Sequence, residues 1–176
     1  MQPAHWLRLT ALGAILTLCA ACAGPSRDDF RSELDPEMVS RAVHEAAKLN
    51  AVGQRVWCVP FARNLSGIPI RGNANTWWGQ AEGLYARGKA PEVGAVMTFK
   101  QTSRLPMGHV AVVSKVVSDR EILVDHANWH RSKVSLGMSV KDVSDANDWS
   151  AVRLESNPGS YGSVYPIKGF ILASDQ

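Results

Sequence analysis

Cysteine is scarce in this 176-residue sequence, which has only Cys19, Cys22 and Cys58. Blocks of like charge, internal repeats and low-complexity tracts are missing as well, so nothing indicates a nucleic-acid-binding protein. The most apolar stretch, residues 9–18, is shorter than the roughly 20 residues that a membrane-spanning helix needs. These absences favour an ordinary globular domain.

Metal-binding patterns are also missing. Asp125, His126 and His130 are the densest group of potential ligands, but no zinc-binding spacing such as HExxH occurs. We therefore predict no metal ion and no other cofactor.

Residues 1–23 have the features of a signal peptide. Arg8 supplies a positive charge, residues 9–18 are apolar, and small residues surround Cys22. Residues 24–34 are mostly polar and predict a tether to the domain that follows. We therefore expect an exported protein, located in the periplasm or cell envelope.

Two cleavage sites compete in this segment. Ala20-Ala21 before Cys22 resembles a bacterial lipobox, although Cys19 stands where that motif usually has leucine. Small residues on both sides of Cys22 fit ordinary signal peptidase equally well. We favour lipidation of Cys22, and the absence of Asp after it resembles lipoproteins sent to the outer membrane. Either site leaves Cys58 as the only thiol of the mature chain.

The mature chain of about 150 residues fits one domain, which we assign to residues 35–176. Loss of residues 1–22 removes one basic residue and no acid, leaving 18 basic and 16 acidic residues. This small excess excludes neither an anionic nor a neutral partner.

Helical patterns come first along the chain. Asp35-Pro36 predicts the start of a helix that ends near Asn50. A second helix is predicted to start at Cys58 and to end at Gly67, and a third to cover residues 75–87 with Gly88 as its stop.

Strand patterns follow, each bounded by turn residues, over residues 95–99, 109–117, 121–129, 133–140, 149–154 and 163–172. Helices followed by a run of strands predict an α+β fold in which N-terminal helices pack on an antiparallel sheet.

Cys58 is the main candidate for chemistry. Unsatisfied backbone N–H groups and the dipole at a helix N-terminus stabilise an anion, so we expect the pKa of its thiol to be lowered. The alternative is an inert buried cysteine at a helix start.

His109 is the second candidate, because it follows Gly108 and opens an apolar strand. A two-residue turn at Ser118-Asp119 would place His109 opposite Asn128, with His126 on the same face. A three-residue loop would bring Asp125 to that face instead. We prefer the two-residue turn.

Several runs in this order resemble the CHAP domain, the cysteine, histidine-dependent amidohydrolase/peptidase family of papain-like fold. The runs are WCVPFAR, SGIPI, GNANTWW, PEVGAV, GHVAVV and DHANW, spread over residues 57–129. The resemblance covers roughly residues 54–172 and implies hydrolysis of an amide bond in peptidoglycan.

The resemblance also implies roles for individual residues. Cys58 corresponds to the nucleophile and His109 to the general base. The family usually has an acid two residues before Asn128, whereas this sequence has His126 there and Asp125 one position earlier. His126 would match the Cys-His-His set of related murein peptidases. The orienting residue is therefore His126 or Asn128, with Asp125 as the alternative.

Three tryptophans are candidates for substrate binding: Trp77, Trp78 and Trp129. They could line a glycan or peptide groove, but a helix that buries one of Trp77 and Trp78 fits the pattern equally.

The resemblance implies that the bond cut is the N-acetylmuramoyl-L-alanine amide or one within the peptide stem. A non-catalytic cell-wall binding module of the same fold is the alternative function.

Overall fold

The computed structural model describes residues 34–173. It has an α+β fold with few helices and a barrel-like core rich in strands. Within these residues no helix is both long and apolar enough to cross a membrane. The predicted signal peptide, most of the tether and Cys22 lie outside the described residues.

The first two helices have the predicted positions. Helix α1 covers Pro36–Ala51, and the Asp35 side chain caps it by accepting a hydrogen bond of 2.9 Å from the Glu37 N–H. Helix α2 covers Cys58–Ser66 and ends at Gly67, whose φ of 75° is left-handed. Buried Ala42 and Ala46 on α1 let α2 pack closely against it.

The predicted third helix over residues 75–87 is wrong. A single 3-10 turn, Ala74–Thr76, leads into a four-residue helix α3, Trp77–Gln80. Gly83 has a φ of 73°, which a right-handed helix cannot contain. The chain then forms a short strand β1, Arg87–Gly88, so the predicted helix ends where strand pairing begins.

The six predicted strands are all present, and their ends differ from the predicted ones by no more than three residues. They are β2 (Val96–Phe99), β3 (His109–Ser118), β4 (Glu121–Ala127), β5 (Val134–Asp142), β6 (Ala151–Asn157) and β7 (Ser160–Ile171). Every pairing is antiparallel, in the order β1-β7-β2-β3-β4-β5-β6. Strand β6 also pairs with β7, which closes the sheet on itself.

The hairpin of β3 and β4 differs from the prediction in its turn. Ser118 pairs with Glu121, so the two turn residues are Asp119 and Arg120 rather than Ser118 and Asp119. Two irregularities in the ladder then shift the register, and Val112 pairs with Asp125. The predicted register is therefore recovered at the end of the hairpin that carries the histidines.

Closure of the sheet creates two separate cores. One lies between the barrel and the helices and contains Phe61, Leu65 and Trp77 together with Val110 and Val112 of β3. The other fills the barrel and contains Ala111 and Val113 of the same strand. This alternation along β3 places His109 on the barrel side and Val110 on the helix side.

Candidate active site

Cys58 is the first residue of α2, and its thiol is partly exposed. The backbone N–H groups of Val110, Val59 and Cys58 itself lie near the sulfur and favour its thiolate form. Two of these donors belong to the first turn of α2, and the third belongs to the residue that follows His109. The thiol therefore bridges the start of the helix and the start of β3.

The expected lowering of the thiol pKa is wrong. Burial of Cys58 raises its pKa, and this effect exceeds the opposing effect of the three backbone hydrogen bonds. A thiolate would lose more solvation than these N–H groups return, so the resting thiol keeps its proton. Attack on a substrate therefore needs a base beside the sulfur.

His109 is placed by the tight turn before it. Gly108 has a φ of 69°, and a Cβ atom added there would lie 2.8 Å from the backbone nitrogen of Asn75. Only glycine allows this approach of the two segments. His109 itself is 4% exposed, and burial lowers its pKa to about 3, so the imidazole is neutral at physiological pH.

His126 is the hydrogen-bond partner of His109. The His109 Nε2 and His126 Nδ1 atoms are 3.0 Å apart in a buried contact. If His109 donates through Nε2–H, its Nδ1 has a free lone pair that can accept a proton. This tautomer leaves the remaining proton of His126 on Nε2, a buried atom without a hydrogen-bond partner among the described residues.

Aromatic rings hold the two imidazoles in place. The Trp129 ring stacks on His126 at 5.7 Å and contacts His109 edge-on at 5.1 Å between ring centroids. Phe99 meets His109 edge-on as well, and Tyr165 contacts both Phe99 and Trp129. These rings restrict the rotation of the imidazoles and exclude water from one side of the pair. Phe99 and Tyr165 come from β2 and β7 and carry no signal in the sequence that marks them as site residues.

Asn128 and Asp125 do not hydrogen-bond to His109. The Asn128 Oδ1 atom instead accepts hydrogen bonds from Arg55 Nε at 3.1 Å and from the Ser132 N–H at 3.0 Å. Asp125 lies opposite Val112, on the other face of β4 from His126, and its Oδ1 accepts a hydrogen bond of 2.7 Å from the Gly137 N–H. Burial raises the Asp125 pKa. The structure thus pairs His109 with His126 alone of the three predicted orienting residues.

The three tryptophans have different environments. Trp77 is fully buried in the helix-side core, so the prediction that it contacts substrate is wrong. Trp78 is partly buried under the Arg87 guanidinium, whose carbon lies 4.9 Å from its ring centroid. Trp129 packs against both site histidines. Trp57, which precedes Cys58 and is 50% exposed, was not among the predicted substrate contacts.

Residues 34–173 contain no group of three or more His, Cys, Asp or Glu side chains that could hold a metal ion. Burial keeps both the Cys58 thiol and the His109 imidazole in their neutral forms. Such a pair can transfer an acyl group through a covalent thioester.

Residues 50–128 match the family model described as the CHAP domain. The matched segment begins at the end of α1 and ends just after β4, so it contains Cys58, His109 and His126. No curated protein matches the chain.

Proposed function

The chain is a CHAP domain family protein, and on that premise we propose that it cleaves an amide bond of peptidoglycan with Cys58 as nucleophile. Membership of the family indicates a hydrolase that acts on peptidoglycan. The observation that supports the cysteine mechanism is the hydrogen bond between His109 and His126, in the strands beside the Cys58 thiol.

The proposed reaction starts from the neutral pair. The His109 Nδ1 atom accepts the thiol proton while the Cys58 sulfur attacks the amide carbonyl carbon. The Cys58 N–H donates a hydrogen bond to the developing oxyanion, a contribution of about 3 kcal/mol to the barrier in comparable sites. Collapse of the intermediate breaks the C–N bond, and the amine leaves with the proton from His109.

The second half of the reaction uses water. His109, again neutral, takes a proton from a water molecule as the water oxygen attacks the thioester carbon. The carbon–sulfur bond breaks, and the thiolate takes back the proton from His109. His126 holds His109 in the tautomer that both steps need.

We extend the proposal to a papain-like arrangement of the fold. The proposed nucleophile is the first residue of α2, and the proposed base is the first residue of the barrel strand β3. Val110, the next residue of β3, has its N–H near the Cys58 sulfur and its side chain in the helix-side core.

Location in the cell envelope is part of the proposal, with a diacyl anchor at Cys22. The supporting observations are the apolar segment and small residues of the N-terminal sequence. Lipid attachment would keep the domain close to the cell wall that holds its substrate.

A non-catalytic wall-binding module is the second candidate function. The raised pKa of the Cys58 thiol favours it, because such a thiol is a weak nucleophile unless His109 acts as its base.

Digestion of purified sacculi tests the proposal. We expect the wild-type protein to release soluble fragments, and mass spectrometry of their new termini identifies the amide bond that is cut. Cys58→Ala should lower the rate at least about a thousandfold, because it removes the atom that forms the thioester.

The control is Cys58→Ser, which keeps a side chain of similar size and should also be inactive while folding normally. Wild-type protein that binds sacculi but releases nothing would establish the binding module. Near-normal turnover by Cys58→Ala would exclude Cys58 as the nucleophile.

A further inference from the structure

Arg55 precedes the proposed nucleophile by three positions in the sequence, and two contacts hold its side chain. Its guanidinium carbon lies 4.1 Å from the centroid of the Trp57 ring, and its Nε donates a hydrogen bond of 3.1 Å to Asn128 Oδ1. Arg55 and Trp57 are exposed whereas Val56 between them is buried, as expected for an extended segment that presents alternate side chains. The arginine is therefore ordered at the surface rather than freely rotating.

The position of Arg55 follows from the chain on both sides of it. Two residues, Val56 and Trp57, separate Arg55 from Cys58, so their Cα atoms lie at most about 10 Å apart. Its partner Asn128 lies two residues after His126, which binds His109. Arg55 thus links the segment that leads into Cys58 to the loop that follows His126.

Asn128 is built to hold this arginine. Its φ is 65°, a left-handed conformation that asparagine tolerates better than most residues. Its N–H donates to the Lys133 carbonyl at 2.8 Å, and its Oδ1 also accepts from the Ser132 N–H. Asn50 of α1 donates a hydrogen bond of 3.2 Å to the Ser132 carbonyl and anchors the same loop. These contacts fix the oxygen that receives Arg55 Nε.

The two Nη atoms of Arg55 are free to bind an anion. Among residues 34–173 no carboxylate forms an ion pair with Arg55. The Nε atom of Arg55 binds Asn128, and one face of the guanidinium packs on the Trp57 ring. The edge that carries the two Nη atoms therefore remains for a ligand. A guanidinium edge of this kind matches the two oxygens of a carboxylate.

Basic residues predominate in the three sequence segments that contain Cys58, His109 and His126. Residues 46–81, which contain Cys58, include four Lys or Arg and no acid, and residues 93–114, which contain His109, include two and no acid. Residues 126–140 add Arg131 and Lys133 without an acid. Such a field attracts an anionic substrate and disfavours a cationic one.

From these observations we infer that Arg55 binds a carboxylate of the peptide whose amide bond Cys58 attacks, with Asn128 as its positioning residue. The inference rests on the proposed function and specifies its substrate as a peptide with an acidic group next to the scissile bond. It also gives Asn128 a task different from orienting His109. Arg55 selects the substrate, whereas His126 supports the chemistry.

Charge-dependent alkylation of Cys58 tests the anion site without peptidoglycan. Iodoacetate and iodoacetamide alkylate the same thiol, and only iodoacetate carries a negative charge. We expect Arg55→Gln to lower the ratio of the iodoacetate rate to the iodoacetamide rate about threefold or more at low ionic strength. Asn128→Ala should lower this ratio by a smaller factor, with little further loss in the double variant.

Lys115→Gln is the matched control, because it removes one exposed positive charge from the part of β3 remote from His109. This variant should leave the ratio unchanged. A ratio that is equal in wild type and Arg55→Gln would overturn the inference, whether or not the protein digests sacculi.

Steady-state kinetics with soluble muropeptides provide the second test. Arg55→Gln should raise KM about tenfold or more while kcat stays within about threefold, since the contact is made equally in the ground and transition states. Conversion of the peptide carboxylates to carboxamides should raise the wild-type KM to the same level and leave the variant unaffected.

The two tests separate the two proposals. A loss of kcat at constant KM in Arg55→Gln, or an equal effect of the carboxamide substrate on both proteins, would overturn the carboxylate contact. Wild-type protein without hydrolytic activity would overturn the proposed function, and the alkylation ratio alone then decides whether Arg55 binds an anion.

Discussion

At the scale of single residues, the pairing of His109 with His126 has a measurable energetic cost. The tautomer suited to catalysis leaves the His126 Nε2–H buried without a partner among the described residues. An unpaired buried donor costs about 1–3 kcal/mol. The unpaired N–H lowers the stability of the fold, whereas the hydrogen bond on the other side of the His126 ring fixes the tautomer of His109.

Substitution of the two candidate orienting residues should separate them. His126→Ala should lower the rate of peptidoglycan hydrolysis about a hundredfold or more, because His109 loses the acceptor that fixes its tautomer. Asp125→Asn should change the rate less than about threefold, since its side chain points to the other face of β4 and the amide oxygen can still accept from Gly137.

His126→Asn supplies the control for a folding defect, because its oxygen can accept the His109 proton and should restore part of the activity. Circular dichroism confirms that each variant is folded. The reverse order, with Asp125→Asn severe and His126→Ala mild, would show that Asp125 orients the base.

At the scale of elements, the turn before β3 sets the position of the base. The 3-10 turn that starts at Ala74 packs directly on Gly108, and the Asn75 N–H donates a hydrogen bond of 2.9 Å to the Met107 carbonyl. A short helical element thus supports the strand that presents His109.

Gly108→Ala should therefore lower both stability and hydrolytic activity. A Cβ atom at this position would lie 2.8 Å from the Asn75 nitrogen, and its backbone conformation is also unfavourable for alanine. We expect a loss of more than about 1 kcal/mol in unfolding free energy and a fall in activity of about tenfold or more as His109 shifts.

Gly94→Ala is the matched control for this prediction. Gly94 has a φ of 87°, but nothing lies within 4 Å of a Cβ added there. It should lose stability from the backbone conformation alone and keep its activity. Equal effects of the two substitutions on activity would contradict a specific role of the contact with Asn75.

At the scale of the whole molecule, the buried histidines couple stability to pH. The His109 pKa is about 3 in the folded protein, against an ordinary value of 6.5. Between these values the unfolded chain binds more protons than the folded one, so the free energy of unfolding falls as pH decreases. His126, whose pKa burial also lowers, acts in the same direction.

Urea unfolding at pH 7.5, 6.0 and 5.0 measures this coupling. As the pH falls below 6.5, the free energy of unfolding should decrease less steeply in His109→Gln than in wild type. The two slopes should differ by about 1.4 kcal/mol per pH unit for one fully shifted group. Carboxylates such as Asp125 titrate alike in both proteins and cancel from the difference. Parallel pH dependences would contradict a neutral, buried His109.

The location of the protein is tested by Cys22→Ser. If Cys22 carries the lipid, wild-type protein should partition into membranes, because its acyl chains are buried in the bilayer. Cys22→Ser should instead be soluble in the periplasm or remain as unprocessed precursor. Wild-type protein that is soluble and starts at Gly24 would contradict lipidation and leave the catalytic proposal intact.

Local sequence determined the elements of this fold. The Asp35-Pro36 cap, the Gly67 stop and the alternation of apolar residues predict α1, α2 and six strands, because caps and periodicity act over a few residues. Cys58 and His109 could be predicted as candidates for the same reason, since each stands at the start of its element.

Tertiary structure decided the protonation states and the hydrogen-bond partners of these candidate residues. Burial sets the protonation of Cys58 and His109, and it depends on the closed barrel and the helices packed outside it. Two irregularities in the β3–β4 ladder place His126 beside His109, and a left-handed turn directs Asn128 to Arg55. Solvation and strand register are properties of many distant residues acting together, so no local pattern in the sequence could specify them.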